Sequence, residues 1–238
     1  MVNKVNNKQI PQHVAVIMDG NGRWAQNRGL ASVDGHAKGV EIAKDIVGHA
    51  SKIGIKYLTL YTFSSENWLR SEEEVRGIMN LLKHHISNDR ELILNNQIKL
   101  KVIGDFSRLS MELKDELNGL AYDTRNNRGM QLIIALSYGA RDEIVAASKK
   151  LAMKVMEKKI SVNDITEEAF AQQLYTADVP EPGLLIRTGK ELRVSNFLLW
   201  QIAYTEFYFS DILWPDFTAQ AFDKALSEFM KRERRYGK

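Results

Sequence analysis

Short runs of β-branched and aromatic residues alternate with longer stretches of helical periodicity along this chain, and that alternation constrains its fold most tightly. Val14–Met18, Ile55–Phe63, Ile98–Ile103, Met130–Ser137, Leu184–Ile186 and Phe207–Phe209 read as strands. Between them, His36–Ile53 carries Val40, Ala43, Ile46, Val47 and Ala50 at helical spacing and stops at Gly54. Ser71-Glu72-Glu73-Glu74 opens a long helix through Val75, Ile78, Met79, Leu82 and Ile86 as a capping box. Ser110 caps another helix, Arg141–Glu157 is helical, and Asp164–Glu167 offers a further capping box. Asn196–Tyr204 reads as a helix after Ser195, and Thr218–Arg235 closes the chain as the last one. Such alternation implies parallel pairing through right-handed crossovers, with helices on both sheet faces. The expectation is one α/β domain over 13–238, built on a central, mostly parallel six-stranded sheet, after a polar leader over 1–12.

Composition removes whole classes of chemistry. The 238 residues include no cysteine, which excludes disulfides, zinc ribbons, Fe–S clusters and thiol nucleophiles together. A net charge of +3 is too slight to mark a nucleic-acid binder, though it suits an anionic ligand or membrane face. No apolar run reaches signal-peptide or membrane-spanning length, so a cytoplasmic location is expected.

On a parallel sheet, ligands bind beyond the carboxyl ends of the strands. In the first such loop, Asp19-Gly20-Asn21-Gly22-Arg23-Trp24, two glycines let backbone N–H groups approach an anion and Arg23 adds a bidentate donor. Gly20, Gly22 and Ala25 also satisfy a dinucleotide pattern, but Asp19 would repel its phosphates and no acid follows a second strand at the required distance. Asp19 makes better sense as a Mg²⁺ ligand, since that ion is commonly held by one or two carboxylates plus substrate phosphates. The second loop, Ser64–Arg70, offers hydroxyls, a carboxylate, an amide and a guanidinium. In the third, an apolar strand delivers Arg187, and Arg193 and Ser195 follow, as in a diphosphate clamp. His36, between Gly35 and Gly39, is placed to face the Gly-rich loop, and Glu206 is one acid in an aromatic stretch. Each feature also has a plain reading as a turn, a polar loop or a surface ion pair.

The segments HVAVIMDGNGRW (13–24), Gly35-His36, LTLYTFSSENW (58–68), IGD (103–105), LIRT (185–188), SNFLLWQIAY (195–204) and LWPDF (213–217), in this order, resemble the cis-prenyltransferases over nearly the whole chain. The resemblance implies a homodimeric, Mg²⁺-dependent transferase with an apolar tunnel between sheet and helices. Such an enzyme adds isopentenyl diphosphate in cis to farnesyl diphosphate, building the undecaprenyl carrier lipid of cell-wall glycans, with peripheral membrane contact for product release. It implies Asp19 as the metal-associated acid and Gly20, Asn21, Gly22 and Arg23 as the allylic diphosphate cradle. Trp24, His36, Ser64, Ser65, Glu66, Trp68 and Arg70 would line the same site. Asn67 matches the residue associated with proton removal; an amide is a poor base, so it would position a proton path. Arg187, Arg193, Val194 and Ser195 match the clamp for isopentenyl diphosphate, Glu206 a second metal-associated acid, and Arg235-Tyr236-Gly237 a tail reaching the partner's site.

The chain departs from that pattern at Ser32, where Arg is common, at Gly183 for Asp, at Lys190 for Gly, at Ser71 for Pro and at Ala140 for Gly. The alternative is a non-catalytic prenyl-diphosphate-binding subunit. Such subunits lose the acid and the clamp, and this chain keeps both.

Overall fold

The strands assemble because their apolar residues fall on both faces. In β1 (His13–Ile17) all five residues are buried. Val14 and Val16 enter one core cluster while Ala15 and Ile17 enter another on the opposite side. A strand buried on both faces belongs at the centre of a sheet covered by helices. The computed structural model, which describes residues 10–232, places β1 there. The other strands are β2 (Tyr57–Ser64), β3 (Lys99–Ile103), β4 (Gln131–Tyr138), β5 (Leu184–Arg187) and β6 (Glu206–Phe209). They form one sheet in the order β3-β4-β2-β1-β5-β6, and every pair is parallel. All six predicted strands are present, with ends shifted by at most two residues.

The helices are α1 (Asn21–Gln26), α2 (Ser32–Lys52), α3 (Glu72–Asn88), α4 (Arg90–Asn95), α5 (Met111–Asp123), α6 (Ala140–Met156), α7 (Glu167–Ala171) and α8 (Ala219–Lys231). α2 begins four residues before the expected start. The Asp34 carboxylate accepts the Ala31 N–H at 3.1 Å, which satisfies a free end-of-helix donor and starts the helix early. Ser110 and Ser71 cap as expected, accepting from Leu113 N–H and Glu74 N–H at 3.3 Å each. The third box is displaced. Thr166 caps α7 at 3.2 Å, while Asp164 turns back to the Ser161 N–H at 2.7 Å.

The expected helix over 196–204 is absent; that segment is a series of turns. Ser195, Asn196 and Leu198 hold φ of 45°, 59° and 48°, left-handed values that no α-helix accommodates. Tertiary contacts impose them, since the Asn196 carbonyl accepts the Ala140 N–H at 2.8 Å and its side-chain oxygen accepts the Arg141 N–H at 2.9 Å. Starting α6 takes the hydrogen-bonding groups that a helix at 196 would need. Among the described residues, no helix is long and apolar enough to cross a membrane. The tail Arg235-Tyr236-Gly237, most of the leader and the end of the expected final helix lie outside the described residues.

Candidate active site

At the carboxyl ends of β1, β2 and β5 the sheet opens into a cleft of about 900 Å³, roofed by α2 and α3. Its inner half is lined by Val40, Ala43, Leu60, Ile78, Leu82 and Ile134. Its mouth carries Asp19, Arg23, His36, Arg70, Arg187 and Arg193. Cofactor and substrate pockets combine this kind of apolar wall with a few convergent polar groups.

β1 and β5 run side by side, with Ile17 opposite Arg187, so one strand ends beside the other. Asp19 therefore lies between two guanidiniums: Arg187 donates to Oδ2 at 2.8 Å and Arg23 to Oδ1 at 3.1 Å. The Arg187 side chain is 4% exposed and Asp19 28%, so the pair is largely removed from water and weakly screened. Arg187 donates its other terminal nitrogen to Ser195 Oγ at 2.8 Å and to the Arg193 carbonyl. Its Nε is buried without a hydrogen-bond partner. Thr188 locks the loop, accepting the Asp19 N–H at 2.9 Å and donating to the Asp19 carbonyl at 2.7 Å. Glu191 gathers Arg23, at 3.4 Å, and Arg193.

Gly20 holds φ 114°, and a Cβ there would come within 2.9 Å of Leu213. At Gly35 a Cβ would lie 2.1 Å from the Asn21 carbonyl oxygen, so only glycine lets α2 approach the loop and deliver His36 to the mouth. α1 has six residues, which leaves little macrodipole for anion binding; the backbone N–H groups are its contribution.

Glu74 is a hub that sequence reasoning missed, because its place in a capping box accounted for it. Only half of that box forms. The Glu74 carboxylate instead accepts from Arg70 at 2.8 Å and Ser32 Oγ at 3.2 Å, with His36 Nε2 at 3.7 Å. Ser32, where the resemblance expects Arg, thus bonds a carboxylate that arginine would pair with. Burial is the main cause holding His36 below its usual pKa, helped by Arg70 and opposed by Glu74, so the imidazole is neutral near pH 7.

In the loop after β2, register shifts at Phe63 and Ser64 re-aim the chain. Asn67 accepts the Ser64 N–H at 2.9 Å and its own N–H donates to Ser64 Oγ at 3.2 Å. Glu66 accepts from Asn196 at 2.7 Å. Burial works to raise the Glu66 pKa. Hydrogen bonds from Asn196, its own backbone, Ser64 and Ser65 outweigh burial and hold the carboxyl below its usual range.

The structure thus brings Asp19, Gly20, Asn21, Gly22, Arg23, His36, Ser64, Glu66, Asn67, Arg70, Arg187, Arg193 and Ser195 to one cleft. Four expected members stand behind or outside its wall. Trp24 turns outward and donates to Asp216 at 2.8 Å under the Arg28 guanidinium. Trp68 donates to Ser137 at 2.9 Å and packs edge-on against Phe63. Ser65 lies against Gly139, and Val194 packs into the core below the clamp. Glu206 is further removed. It pairs in register with Leu184 at the amino end of β5, about 10 Å along the strand from Arg187. There it meets Arg232 at 3.5 Å, so within one chain it and Asp19 do not hold the same ion.

Of the carboxylates that line the cleft, Asp19, Glu66 and Glu74, the one at the Gly-rich loop is Asp19, which makes it the protein's donor for a magnesium ion; no cluster of three acidic or histidine side chains able to hold a metal occurs among the described residues. One such donor fits an ion that completes its shell with water and substrate phosphate oxygens, and does not fit an all-protein cage.

Comparisons with known proteins show the family. The family model described as "Putative undecaprenyl diphosphate synthase" matches residues 17–237. An isoprenyl transferase of Geobacter sulfurreducens is 47% identical over 97% of this chain and 94% of its own length. The ditrans,polycis-undecaprenyl-diphosphate synthase ((2E,6E)-farnesyl-diphosphate specific) of Pasteurella multocida is 46% identical over 96% and 95%. Among solved structures, lavandulyl diphosphate synthase from Lavandula x intermedia, in complex with dimethylallyl diphosphate, superposes with a TM-score of 0.93. It shares 40% identity, over 96% of this chain and 99% of that one. With these similarities covering almost its full length, the chain belongs to the undecaprenyl diphosphate synthase family of prenyltransferases.

Proposed function

We propose that this chain condenses isopentenyl diphosphate units in cis onto farnesyl diphosphate to give undecaprenyl diphosphate. The observation that carries the reading is the division of one cleft into a guanidinium-rich mouth around Asp19 and an apolar interior between α2, α3 and the sheet. An isoprenoid tail headed by a diphosphate has the same two-part chemistry. The farnesyl-diphosphate specificity of the Pasteurella relative and the dimethylallyl diphosphate bound by the lavender enzyme support an allylic primer.

In this reading the backbone of Gly20, Asn21 and Gly22, with Arg23, His36 and Arg70, holds the allylic diphosphate. Arg187, Arg193 and Ser195 hold the incoming diphosphate. The unpartnered Nε of Arg187 leaves a buried donor for it. Fixing both heads at the mouth sets the alkene against C1 of the allyl group, which supplies much of the rate. The guanidiniums and backbone N–H groups stabilise the negative charge that grows on the leaving diphosphate as the allylic C–O bond breaks. The alkene π electrons form the new C–C bond to C1, and a proton then leaves the adjacent carbon. Asn67 has its amide oxygen occupied by Ser64, so its NH₂ is the group left to orient the proton acceptor, a diphosphate oxygen or water. Magnesium, held by Asp19 together with phosphate oxygens, would supply further charge neutralisation at the leaving group. The inner half of the cleft takes the growing tail. We assign Glu206 no part in the same magnesium site. Homodimeric assembly, a cytoplasmic location and peripheral membrane contact for product release belong to the same proposal.

Radiolabelled isopentenyl diphosphate with farnesyl diphosphate and Mg²⁺ tests it. A butanol-extractable polyprenyl diphosphate is expected; binding of both substrates without any lipid product would leave the non-catalytic subunit instead.

A further inference from the structure

Three strand-end loops meet at Asn196, to which the sequence reading gave no role of its own. Asn196 donates from Nδ2 to Glu66 Oε1, in the loop after β2, at 2.7 Å. Its Oδ1 accepts the Arg141 N–H and its carbonyl the Ala140 N–H, at the start of α6 after β4. It follows Ser195, which accepts from Arg187 in the clamp after β5. The junction is held in strained backbone, with Ser195 at φ 45° and Asn196 at φ 59°. Conformations of this kind persist only where surroundings over-determine them, and they gather at functional sites. Tyr61 adds to that restraint, its hydroxyl lying 3.3 Å from the Ser195 carbonyl and 3.1 Å from the Tyr138 carbonyl. Asn196 itself lines the cleft.

We propose that Asn196 is a positioning residue that ties the Glu66–Asn67 loop to the Arg187–Ser195 clamp, so that the two diphosphate sites keep one shared geometry. The inference rests on the two-substrate reading above. Its physical content is that the amide alone supplies both a donor for Glu66 and an acceptor for Arg141. Asparagine is also among the few residues besides glycine that tolerate the left-handed backbone at this position. Replacing the amide by a carboxylate keeps the shape and the bond from Arg141 but sets two carboxylate oxygens face to face.

Two variants test it. Asn196→Gly removes the side chain and keeps the left-handed backbone, so it should fold. Its KM values for farnesyl diphosphate and isopentenyl diphosphate should both rise, each about tenfold, as expected for losing a hydrogen bond to a charged group. Asn196→Asp should show a KM penalty that is largest at about pH 8.5 and shrinks several-fold towards about pH 6, where the facing pair shares a proton. Glu66 and residue 196 are faced by Tyr61 on β2, by Arg141 and Asp142 on α6 and by Arg187 on β5, which are the same in wild type and both variants. A purely structural asparagine would lower the thermal midpoint without this pH-dependent movement of both KM values. One KM moving alone, neither moving, or a flat pH ratio would overturn the proposal. Calorimetric binding of inorganic diphosphate gives a readout independent of turnover. If wild type bound it about tenfold more tightly than Asn196→Gly yet formed no product, the condensation reading would fail and the coupling would stand. Equal affinities would sink the coupling.

Discussion

The two ends of the sheet contain comparable buried polar groups and treat them in opposite ways. At the amino end, His13 has both ring nitrogens occupied, by the Pro180 carbonyl at 2.6 Å and Thr59 Oγ1 at 2.8 Å. Thr205 donates to the Pro182 carbonyl at 2.7 Å, and Glu206 meets Arg232. At the carboxyl end, Asn21 Oδ1, His36 Nε2 and Arg187 Nε are buried without a hydrogen-bond partner, and all three residues line the cleft. Buried polar atoms are costly to leave unpaired, so three around one cavity mark where a ligand completes the structure. Motif membership does not separate chemistry from scaffold; the clustering of unpartnered buried atoms is the better guide, since a fourth such atom among the described residues, Gln201 Oε1, stands alone outside the cleft. His13 opens the same sequence motif as Asp19 and is structural.

The largest test of that contrast is Asp19→Asn, which keeps the shape beside Arg187 and removes the charge. Turnover should fall about a thousandfold while the far-UV circular dichroism stays that of wild type. A comparable loss of fold would place Asp19 with the scaffold. The amino end should show the reverse pattern. Burial holds His13 at about 4, against a usual 6.5, despite the opposing bond from Pro180. The unfolded chain therefore binds a proton first as pH falls. The contribution of His13 is complete above pH 6.5 and is lost on descent to pH 4, by about 3 kcal/mol. Urea unfolding at stepped pH measures it. His13→Gln should flatten that slope and leave kcat unchanged near neutrality.

A third test divides the cleft itself. Ala43→Phe, in its apolar half, should shorten the lipid product while the first condensation stays within about threefold of wild type. Product chromatography reads the first and single-turnover assay the second; full-length product would remove the inner half from the chain's path. The smallest effect belongs to Lys190, whose φ of 64° glycine adopts without strain. Lys190→Gly should raise stability by about half a kcal/mol, relief of left-handed strain being partly offset by backbone entropy. An equilibrium denaturation midpoint below that of wild type would show that this lysine makes contacts that outweigh its backbone strain.

Much of this was legible in the sequence because local signals and tertiary structure agree. Buried runs such as Val14–Ile17 and Leu184–Ile186 have one reading, and parallel topology then fixes which loops share an end of the sheet. The cleft residues of the first and third loops follow from that. Glu74 was hidden behind a capping pattern whose second half never forms. Asn196 was hidden because a helical periodicity covered it, and only contacts from Ala140 and Arg141 reveal its left-handed turn. Trp24 and Trp68 sit among ligand-facing neighbours but point the other way, a matter of side-chain direction that spacing does not encode. Glu206 precedes its apolar run, a signal that placed it at the wrong end of a parallel strand for sharing a metal with Asp19.

A crystal structure with a non-hydrolysable farnesyl thiodiphosphate and isopentenyl diphosphate bound together would show where both charged heads and the tail lie. One charged head should sit at Gly20–Arg23, the other on Arg187, Arg193 and Ser195, and the farnesyl tail between α2 and α3. Either head bound away from the carboxyl end of the sheet, or a tail lying outside the cleft, would contradict that arrangement.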